Sequence, residues 1–200
     1  MLYYERKLKK RKVTAIIGVD EAGRGPLAGP VVAAAVFLKT FRFTARIDDS
    51  KKLSPSQREE ASLEIIAKSV FGIGIVSEVL IDEVNIRNAT RLAMERAVAG
   101  LAVTPTYLLI DALHLPGLSL PQLSLIKGDA RALSIAAASV LAKTTRDAFM
   151  CEMASVYPDY GFARHKGYGT SAHSTALERL GPCAIHRLSF APVRQAEAPC

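Results

Sequence analysis

Two adjacent carboxylates, Asp20 and Glu21, directly follow the apolar run 16–19. Two acids where a buried strand reaches solvent are costly to hold together unless a cation binds them or they remain in water. Successive strand residues point to opposite faces. We therefore expect the strand to end or distort between Asp20 and Glu21 if both serve one site. A solvent-exposed strand end with two acids is the alternative.

Two further acids stand at similar junctions. Asp111 ends the apolar run 107–110, and Asp129 follows the short apolar segment 123–126 and a glycine. Each acid taken singly is more often a turn residue, but three such junctions in one domain make convergence plausible. Four carboxylates can hold two hard divalent cations such as Mg²⁺ or Mn²⁺ in oxygen coordination. Paired cations suit phosphodiester hydrolysis, and no His or Cys pair has the usual spacing of a zinc site.

Other residues have the chemistry to contact a nucleic acid. The triplet Gly23-Arg24-Gly25 allows close backbone approach, and its arginine can meet a phosphate or a neighbouring acid, although a turn with one solvated arginine has the same pattern. Ser139 and Lys143 are four apart, share a helix face, and could clamp a phosphate unless Lys143 pairs with Asp147. Tyr168, flanked by glycines, is expected to be exposed and to stack on a sugar or base.

The elements that position these residues are read from periodicity and capping signals. Strands are expected at 16–21, 31–38, 70–77, 107–111 and 123–126, the first two antiparallel if 23–30 is a tight turn. Ser54, Pro55 and Gln57 predict a capped helix start, with the helix running to about Lys68. Further helices are expected at 81–100, 132–156 and 170–180, with a loop at 157–169 and a frayed tail from 191. The order of elements favours an α/β domain with a mixed sheet.

Composition separates a basic N-terminus from the rest. The net charge is +7, and residues 1–14 carry six Lys and Arg against Glu5. We assign 1–14 to a basic tail, solvated or bound to phosphates, 15–156 to the catalytic domain and 157–200 to a C-terminal extension.

The cysteines, Cys151, Cys183 and Cys200, are odd in number and widely spaced, which favours free thiols in a reducing compartment. Apolar runs are too short for a membrane span, so a soluble cytoplasmic protein is expected.

Longer motifs in this chain resemble the bacterial type 2 ribonucleases H. The resemblance covers about residues 14–193 and rests on segments in the family's order. These segments are 20–35, starting DEAGRGPLAGP, 49–54, 128–129, 134–143, 165–170 and 186–190. Related type 3 enzymes carry an extra N-terminal domain and have Glu as the fourth acid. Only about 14 residues precede the first strand here, and Asp129 occupies that position, so type 2 is favoured.

The resemblance implies a ribonuclease H-like fold with a mixed five-stranded sheet, flanking helices and a C-terminal helical extension. It implies endonucleolytic hydrolysis of RNA in RNA–DNA hybrids and incision at ribonucleotides embedded in duplex DNA, leaving 3′-hydroxyl and 5′-phosphate ends. Its metal-binding catalytic carboxylates would be Asp20, Glu21, Asp111 and Asp129, holding two Mn²⁺ or Mg²⁺ ions. The triplet Gly23, Arg24 and Gly25 would read the ribose 2′-hydroxyl, Tyr168 would pack on the following deoxyribose, and Ser139 with Lys143 would hold a DNA phosphate.

Two other function classes compete with this interpretation. A non-catalytic nucleic-acid-binding module could use the basic tail and the Gly-Arg-Gly loop, but the strand-end acids would repel phosphate without metals. Another two-metal phosphohydrolase of the same fold, such as a DNA resolvase, is the second alternative. We expect a monomer that binds nucleic acid and no membrane. Contact with a sliding clamp and a proton-transfer role for His165 are left open by the sequence.

Overall fold

The computed structural model describes residues 1–197, which form a five-stranded sheet packed between helices. The strands are β1 (Ile16–Ala22), β2 (Val31–Leu38), β3 (Ser69–Val76), β4 (Tyr107–Asp111) and β5 (Gln122–Leu125). Their spatial order is β3-β2-β1-β4-β5. Strand β2 pairs antiparallel with β1 and with β3, whereas β4 pairs parallel with β1 and with β5. The expected mixed five-stranded sheet is confirmed.

Seven α-helices are described in residues 1–197. They are α1 (Tyr3–Lys10), α2 (Pro55–Lys68), α3 (Glu78–Ala99), α4 (Leu133–Val156), α5 (Phe162–His165), α6 (Ser171–Leu180) and α7 (Ala191–Glu197). Short 3₁₀ turns occupy Gly128–Ala130 and Pro158–Tyr160. None of these helices combines the length and hydrophobicity that a membrane span requires.

The sheet has a hydrophobic layer on each face. Alternate residues of β2, such as Val31 and Ala33, pack with α3 on one face, and Ala34 and Val36 pack with α2 and α4 on the other. Helix α4 lies directly on the central strand, because a Cβ at Gly18 would collide with the Ser134 backbone. The small residues at the start of α4 therefore allow the close packing that brings its later turns alongside the end of β1.

The central strand stays regular through both of its acids. Glu21 pairs with Ala33 and Ala22 with Val32, so β1 neither ends nor distorts between Asp20 and Glu21. That expectation was wrong. By strand alternation, Asp20 lies on the sheet face covered by α4 and Glu21 on the opposite face. The connection 23–30 is also longer than a tight turn, but the expected antiparallel pairing of β1 and β2 is confirmed.

Helix boundaries follow the capping signals closely. Ser54 and Gln57 form the reciprocal capping box at the start of α2, and the Thr170 hydroxyl accepts from the His173 amide at the start of α6. Helix α3 starts at Glu78, earlier than expected, and is kinked at Asn85, where φ is 66°. The 157–169 segment contains two short helical turns instead of only loop, and α7 follows α6 with Val193 buried, so residues 191–197 are not frayed.

The basic N-terminus is a packed helix and not a solvated tail. Helix α1 buries Glu5 and Leu8, and the Glu5 carboxylate accepts two hydrogen bonds of 2.9 Å from the Ser134 amide and hydroxyl. Leu8 packs in a cluster with residues of β1 and α4, including Ile16 and Ile135. The lysines and arginines of α1 lie on its exposed face. Because these charges dominate the segment, its sequence does not indicate that Glu5 and Leu8 are buried.

This packing predicts a stability effect at Leu8. Replacing Leu8 by Ala should lower the free energy of unfolding by about 2–4 kcal/mol, because a buried leucine loses its apolar contacts and leaves a cavity. The exposed Lys7→Ala variant in the same helix should stay within about 0.5 kcal/mol of wild type. Urea unfolding followed by circular dichroism measures both. Equal stability of the two variants would mean that α1 does not pack on the domain.

Candidate active site

Four acids reach one edge of the sheet from three segments. β1 and β4 run parallel with Val19 beside Ile110, so Asp20 and Asp111 follow at the same strand ends. Beyond β5, the chain turns at Lys127, whose φ is 55°, into the 3₁₀ turn that carries Asp129. The Gly128 amide donates to Asp111 Oδ1 at 2.6 Å, which fixes this turn against the end of β4.

Burial and mutual repulsion shape the electrostatics of this edge. Burial raises the pKa of Asp20 well above its usual range, and the neighbouring charges of Glu21 and Asp111 raise it further. Burial also raises the pKa of Glu21, against the Arg24 charge, which lowers it. The pKa of Asp129 is raised by burial and then by Asp49 and Asp111. Each acid would be stabilised in its ionised form by additional positive charge.

The carboxylate oxygens of these acids form hydrogen bonds and ion pairs with different protein groups. Asp20 Oδ1 accepts from the Glu21 amide at 2.8 Å, Asp129 Oδ1 from the Ala130 amide at 2.9 Å, and Glu21 Oε1 pairs with Arg24 Nη1 at 3.3 Å. Glu21 Oε2 is buried and has no hydrogen-bond partner among the described residues. Across the side chains of residues 1–196, no three His, Cys, Asp or Glu groups are arranged as a ready metal-binding cluster. The acids are thus brought to one edge without being closed around a common point.

This donor set fits a hard divalent cation. All of the converging groups are carboxylate oxygens, the ligands that Mg²⁺ and Mn²⁺ prefer. The unpartnered Glu21 Oε2 and the raised pKa values of Asp20 and Asp129 are both features that a bound cation would relieve.

Lys51 and Asp49 belong to this edge although sequence reasoning gave them no role. Burial alone would lower the pKa of Lys51, but Asp49, Asp20, Asp129 and Asp111 together raise it. Its ammonium group therefore faces the acids from the loop before α2. Both residues lie in the segment 49–54, which resembles a family motif, but its residue spacing does not indicate which side chain faces the acids.

The Gly-Arg-Gly loop lies beside the acids. Gly23 has φ of +99°, and a Cβ there would collide with the Arg146 side chain and lie 2.8 Å from the Pro30 carbonyl oxygen. A Cβ at Gly25 would meet only open space, with Tyr168 Cε1 the nearest atom at 4.0 Å. Gly23 is therefore required by the loop conformation, whereas Gly25 leaves room at the surface for a ligand.

The remaining predicted site residues are Tyr168, Ser139 and Lys143. The Tyr168 ring is 39% exposed, as expected, and Lys143 Nζ lies 5.8 Å from its centroid. Lys143 Nζ also donates to Asp147 Oδ1 at 2.5 Å, so the pairing posed as an alternative to phosphate binding is present. Ser139 is buried, and its hydroxyl lies 3.0 Å from that of Ser50 while it also lowers the pKa of Asp20.

A cleft of about 560 Å³ joins these groups. Asp20 and Asp129 do not line it, but the rest of the predicted site residues do: Glu21, Gly23, Arg24, Gly25, Asp111, Ser139, Lys143 and Tyr168. Ser50 and Lys51 complete the wall near the acids. Most of the site residues predicted from the sequence therefore lie around one cavity.

His165 is not a solvated loop residue. Its Nε2 lies 2.7 Å from the Tyr160 carbonyl oxygen, its ring stacks on His173 with centroids 4.4 Å apart, and it is buried. Burial also lowers the pKa of His173, and that of His186 to about 4, so these two rings stay neutral near pH 7. The imidazoles form part of the interior of the C-terminal extension, where His165 contacts Tyr160, Phe162 and His173.

A family model described as Ribonuclease HII matches residues 17–193. The chain belongs to the ribonuclease HII family. It is 54% identical over 197 residues to the ribonuclease HII of Geobacillus thermodenitrificans, covering 98% of this chain and 76% of that one. It is 50% identical over 194 residues to that of Rhizobium etli, covering 96% of this chain and 85% of the relative.

Solved structures share the fold. Ribonuclease H2 from Pyrococcus horikoshii aligns with a TM-score of 0.78 at 24% identity, covering 92% of this chain and 97% of its own. The Archaeoglobus fulgidus protein in a PCNA:RNase HII complex gives 0.75 at 23% identity, covering 88% and 95%. Bst-RNase HIII in complex with Mn²⁺ gives 0.70 at 17% identity, covering 92% and 69%. The ribonuclease H-like fold is thereby confirmed.

Membership of the ribonuclease HII family confirms that the chain is an endoribonuclease acting on the RNA of RNA–DNA hybrids. The resemblance to type 2 ribonucleases H is confirmed as well. The alternative of a non-catalytic binding module is wrong.

The geometry of the Gly-Arg-Gly loop predicts different losses of stability when Gly23 and Gly25 are each replaced by alanine. Gly23→Ala should lose about 2 kcal/mol or more of unfolding free energy, because the new methyl group meets Arg146 and the residue is held at positive φ. Gly25→Ala, the matched control, should stay within about 0.5 kcal/mol. Thermal and urea unfolding measure both. If Gly23→Ala were as stable as Gly25→Ala, the loop would not be packed against Arg146 as described.

Proposed function

We propose that this ribonuclease HII cleaves at single ribonucleotides embedded in duplex DNA as well as in RNA–DNA hybrids, by a two-metal mechanism that leaves 3′-hydroxyl and 5′-phosphate ends. The observation that carries the proposal is the shared cleft. An open Gly-Arg-Gly backbone and an exposed Tyr168 ring line the same cavity as Glu21 and Asp111. A sugar hydroxyl read by the loop would lie close to the phosphodiester presented to the acids.

The carboxylates of Asp20, Glu21, Asp111 and Asp129 would hold the cations, with Mg²⁺ or Mn²⁺ as the candidates. When bound, two such ions orient the attacking water and stabilise charge on the leaving 3′ oxygen. Ser139 holds Asp20 from the α4 side, and the amides of Glu21 and Ala130 fix one oxygen each of Asp20 and Asp129. The protein therefore orients its acids through short, local hydrogen bonds.

The other side of the cleft would bind the nucleic acid. The backbone of Gly23, Arg24 and Gly25 would contact the ribose 2′-hydroxyl, which distinguishes RNA from DNA at that position. Tyr168 would pack on the next deoxyribose. Lys143, with Ser139 beside it, would meet a phosphate of the DNA strand, exchanging part of its contact with Asp147 for the phosphate.

We also propose that the enzyme acts as a monomer in the cytoplasm. One chain contributes every group of the proposed site, so no second copy is needed to complete it. Cys151 and Cys183 are free thiols, as a reducing compartment favours, and Cys200 lies outside the described residues.

Removal of one acid tests the catalytic assignment. Asp20→Asn should lower the cleavage rate of a duplex with one ribonucleotide by about a thousandfold or more, because a central electrostatic group is lost. Binding of the same duplex should change little. Asp159→Asn, which neutralises an exposed acid on the Pro158–Tyr160 turn, is the matched control and should retain full activity.

The substrate assignment is tested in the same assay. A continuous hybrid and the single-ribonucleotide duplex should be cut to 3′-hydroxyl ends, while an all-DNA duplex and a four-way DNA junction should remain intact. Cutting of the junction would favour the resolvase alternative. Activity of Asp20→Asn equal to that of Asp159→Asn would contradict the proposed role of the acid.

Metal dependence gives an independent test. Chelation should abolish cleavage, and added Mn²⁺ or Mg²⁺ should restore it. Either ion alone should raise the melting temperature of the wild-type protein, because binding to the folded state stabilises it. Asp20→Asn should lose most of this stabilisation and Asp159→Asn should keep it. Cleavage that persists after removal of all divalent ions would contradict the mechanism.

A further inference from the structure

Among the described residues, two arginines are fully buried, and neither forms an ion pair with a described acid. Arg146 on α4 and Arg187 after α6 are both 0% exposed, and no carboxylate of residues 1–196 lies within ion-pair distance of either. Burying a charge is costly unless hydrogen bonds satisfy it. The guanidinium groups are instead satisfied by backbone carbonyls, nearly all of them in the loop between β1 and β2.

Within the described part of the chain, the Arg187 side chain donates only to that loop. Its Nη2 donates to the carbonyls of Gly23 at 2.6 Å and Gly29 at 2.7 Å, and its Nε donates to Gly29 at 2.9 Å. Its Nη1 donates to the carbonyls of Pro26 at 2.8 Å and Arg24 at 3.2 Å. One side chain from the C-terminal extension thus collects four carbonyls of residues 23–29 around a single planar group.

This arrangement dictates where the loop amides point. In a trans peptide, the N–H lies opposite the C=O of the same unit. The peptides whose carbonyls come from Gly23 and Arg24 therefore direct the N–H groups of Arg24 and Gly25 away from Arg187. Within the described chain, neither amide donates a hydrogen bond to another protein group. Gly25 lines the cleft, and its Cβ side is open toward Tyr168.

Arg146 connects the same loop to Tyr168. It donates to the carbonyls of Ala28 at 2.9 Å and Pro30 at 3.0 Å, and to that of Lys166 at 3.0 Å. The guanidinium carbon lies 5.7 Å from the centroid of the Tyr168 ring. The loop and the aromatic ring, which belong to opposite ends of the chain, are therefore held by one side chain of α4.

We propose that Arg187 is a positioning residue for substrate discrimination: it aims the unpaired amides of Arg24 and Gly25 at the ribose 2′-hydroxyl, while Arg146 fixes Tyr168 against the same loop. This inference rests on the proposed function, because it requires that the loop reads a ribose. It adds that the preference for RNA over DNA is set by a side chain that contacts no substrate atom.

The test compares the affinities for a ribose-containing duplex and for an all-DNA duplex, and does not depend on the cleavage rate. In an Asp20→Asn background, the dissociation constants are measured for a duplex with one ribonucleotide and for the same duplex with deoxyribose at that position. Arg187→Lys keeps the charge but loses the planar set of donors. It should reduce the preference for the ribose duplex by about fivefold to tenfold, the scale of one misdirected hydrogen bond, and leave all-DNA binding unchanged. Arg179→Lys, exposed on α6, should keep the full preference.

A purely structural role for Arg187 would lower the folded fraction without changing the ratio of affinities. A folded Arg187→Lys variant with an unchanged ratio would overturn the positioning role and leave the proposed function intact. Absence of any ribose preference in the Asp20→Asn parent, together with failure of the wild type to cut the single-ribonucleotide duplex, would overturn the proposed function and the inference with it.

If Arg187→Lys does not fold, the Asp20→Asn parent still gives an answer. With ¹⁵N-labelled arginine and glycine, the amide signals of Arg24 and Gly25 should shift more with the ribose duplex than with the deoxyribose duplex. The amide of Gly72, which lies in β3, should not distinguish the two. Equal shifts of Arg24 and Gly25 with both duplexes would show that their amides do not read the 2′-hydroxyl, which overturns the proposal.

Discussion

The constraint on which this structure depends is the placement of acidic side chains at the ends of two parallel strands in the middle of the sheet. Asp20 is 4% exposed, and its pKa is raised by the charges of its neighbour Glu21 and of Asp111 on β4. Charges held this way raise one another's pKa values and cost stability. The rest of the domain can offset that cost, because large apolar layers on both faces of the sheet fix β1 and β4 in place.

The packing that supports the acids also fixes the position of the loop that follows β1. Gly18 lets α4 lie directly on β1, and this brings Ser139 to Asp20 and Lys143 to the cleft. The same helix carries Arg146 into the loop that follows β1. One helix therefore sets the surroundings of the acids and the position of the loop that would face the ribose. The C-terminal extension completes the arrangement through Arg187.

Much of this could be predicted from the sequence, since the informative signals were local. Apolar runs ending in acids located β1 and β4, and the Ser54 capping box located α2. The residues of the cleft were chosen from short motifs, and the fold places Glu21, Gly25 and Tyr168 around one cavity. Their roles in catalysis and binding stay predictions.

What could not be predicted depends on contacts between distant segments. The burial of Glu5 against Ser134 joins residues that are far apart in the chain, so α1 looked like a charged tail. Arg146 and Arg187 are bound by carbonyls, and backbone carbonyls carry no residue-specific signal in a sequence. The continuation of β1 through Glu21 follows from its pairing with β2, which outweighs the tendency of adjacent acids to separate.

The most direct test of the central claim is anomalous diffraction from crystals of the full chain grown with Mn²⁺ and a duplex containing one uncleavable ribonucleotide. The account predicts Mn²⁺ peaks contacting Asp20 and at least one carboxylate of Glu21, Asp111 or Asp129, beside the scissile phosphate. A complex in which the duplex occupies the cleft while Mn²⁺ lies away from all four acids would contradict it.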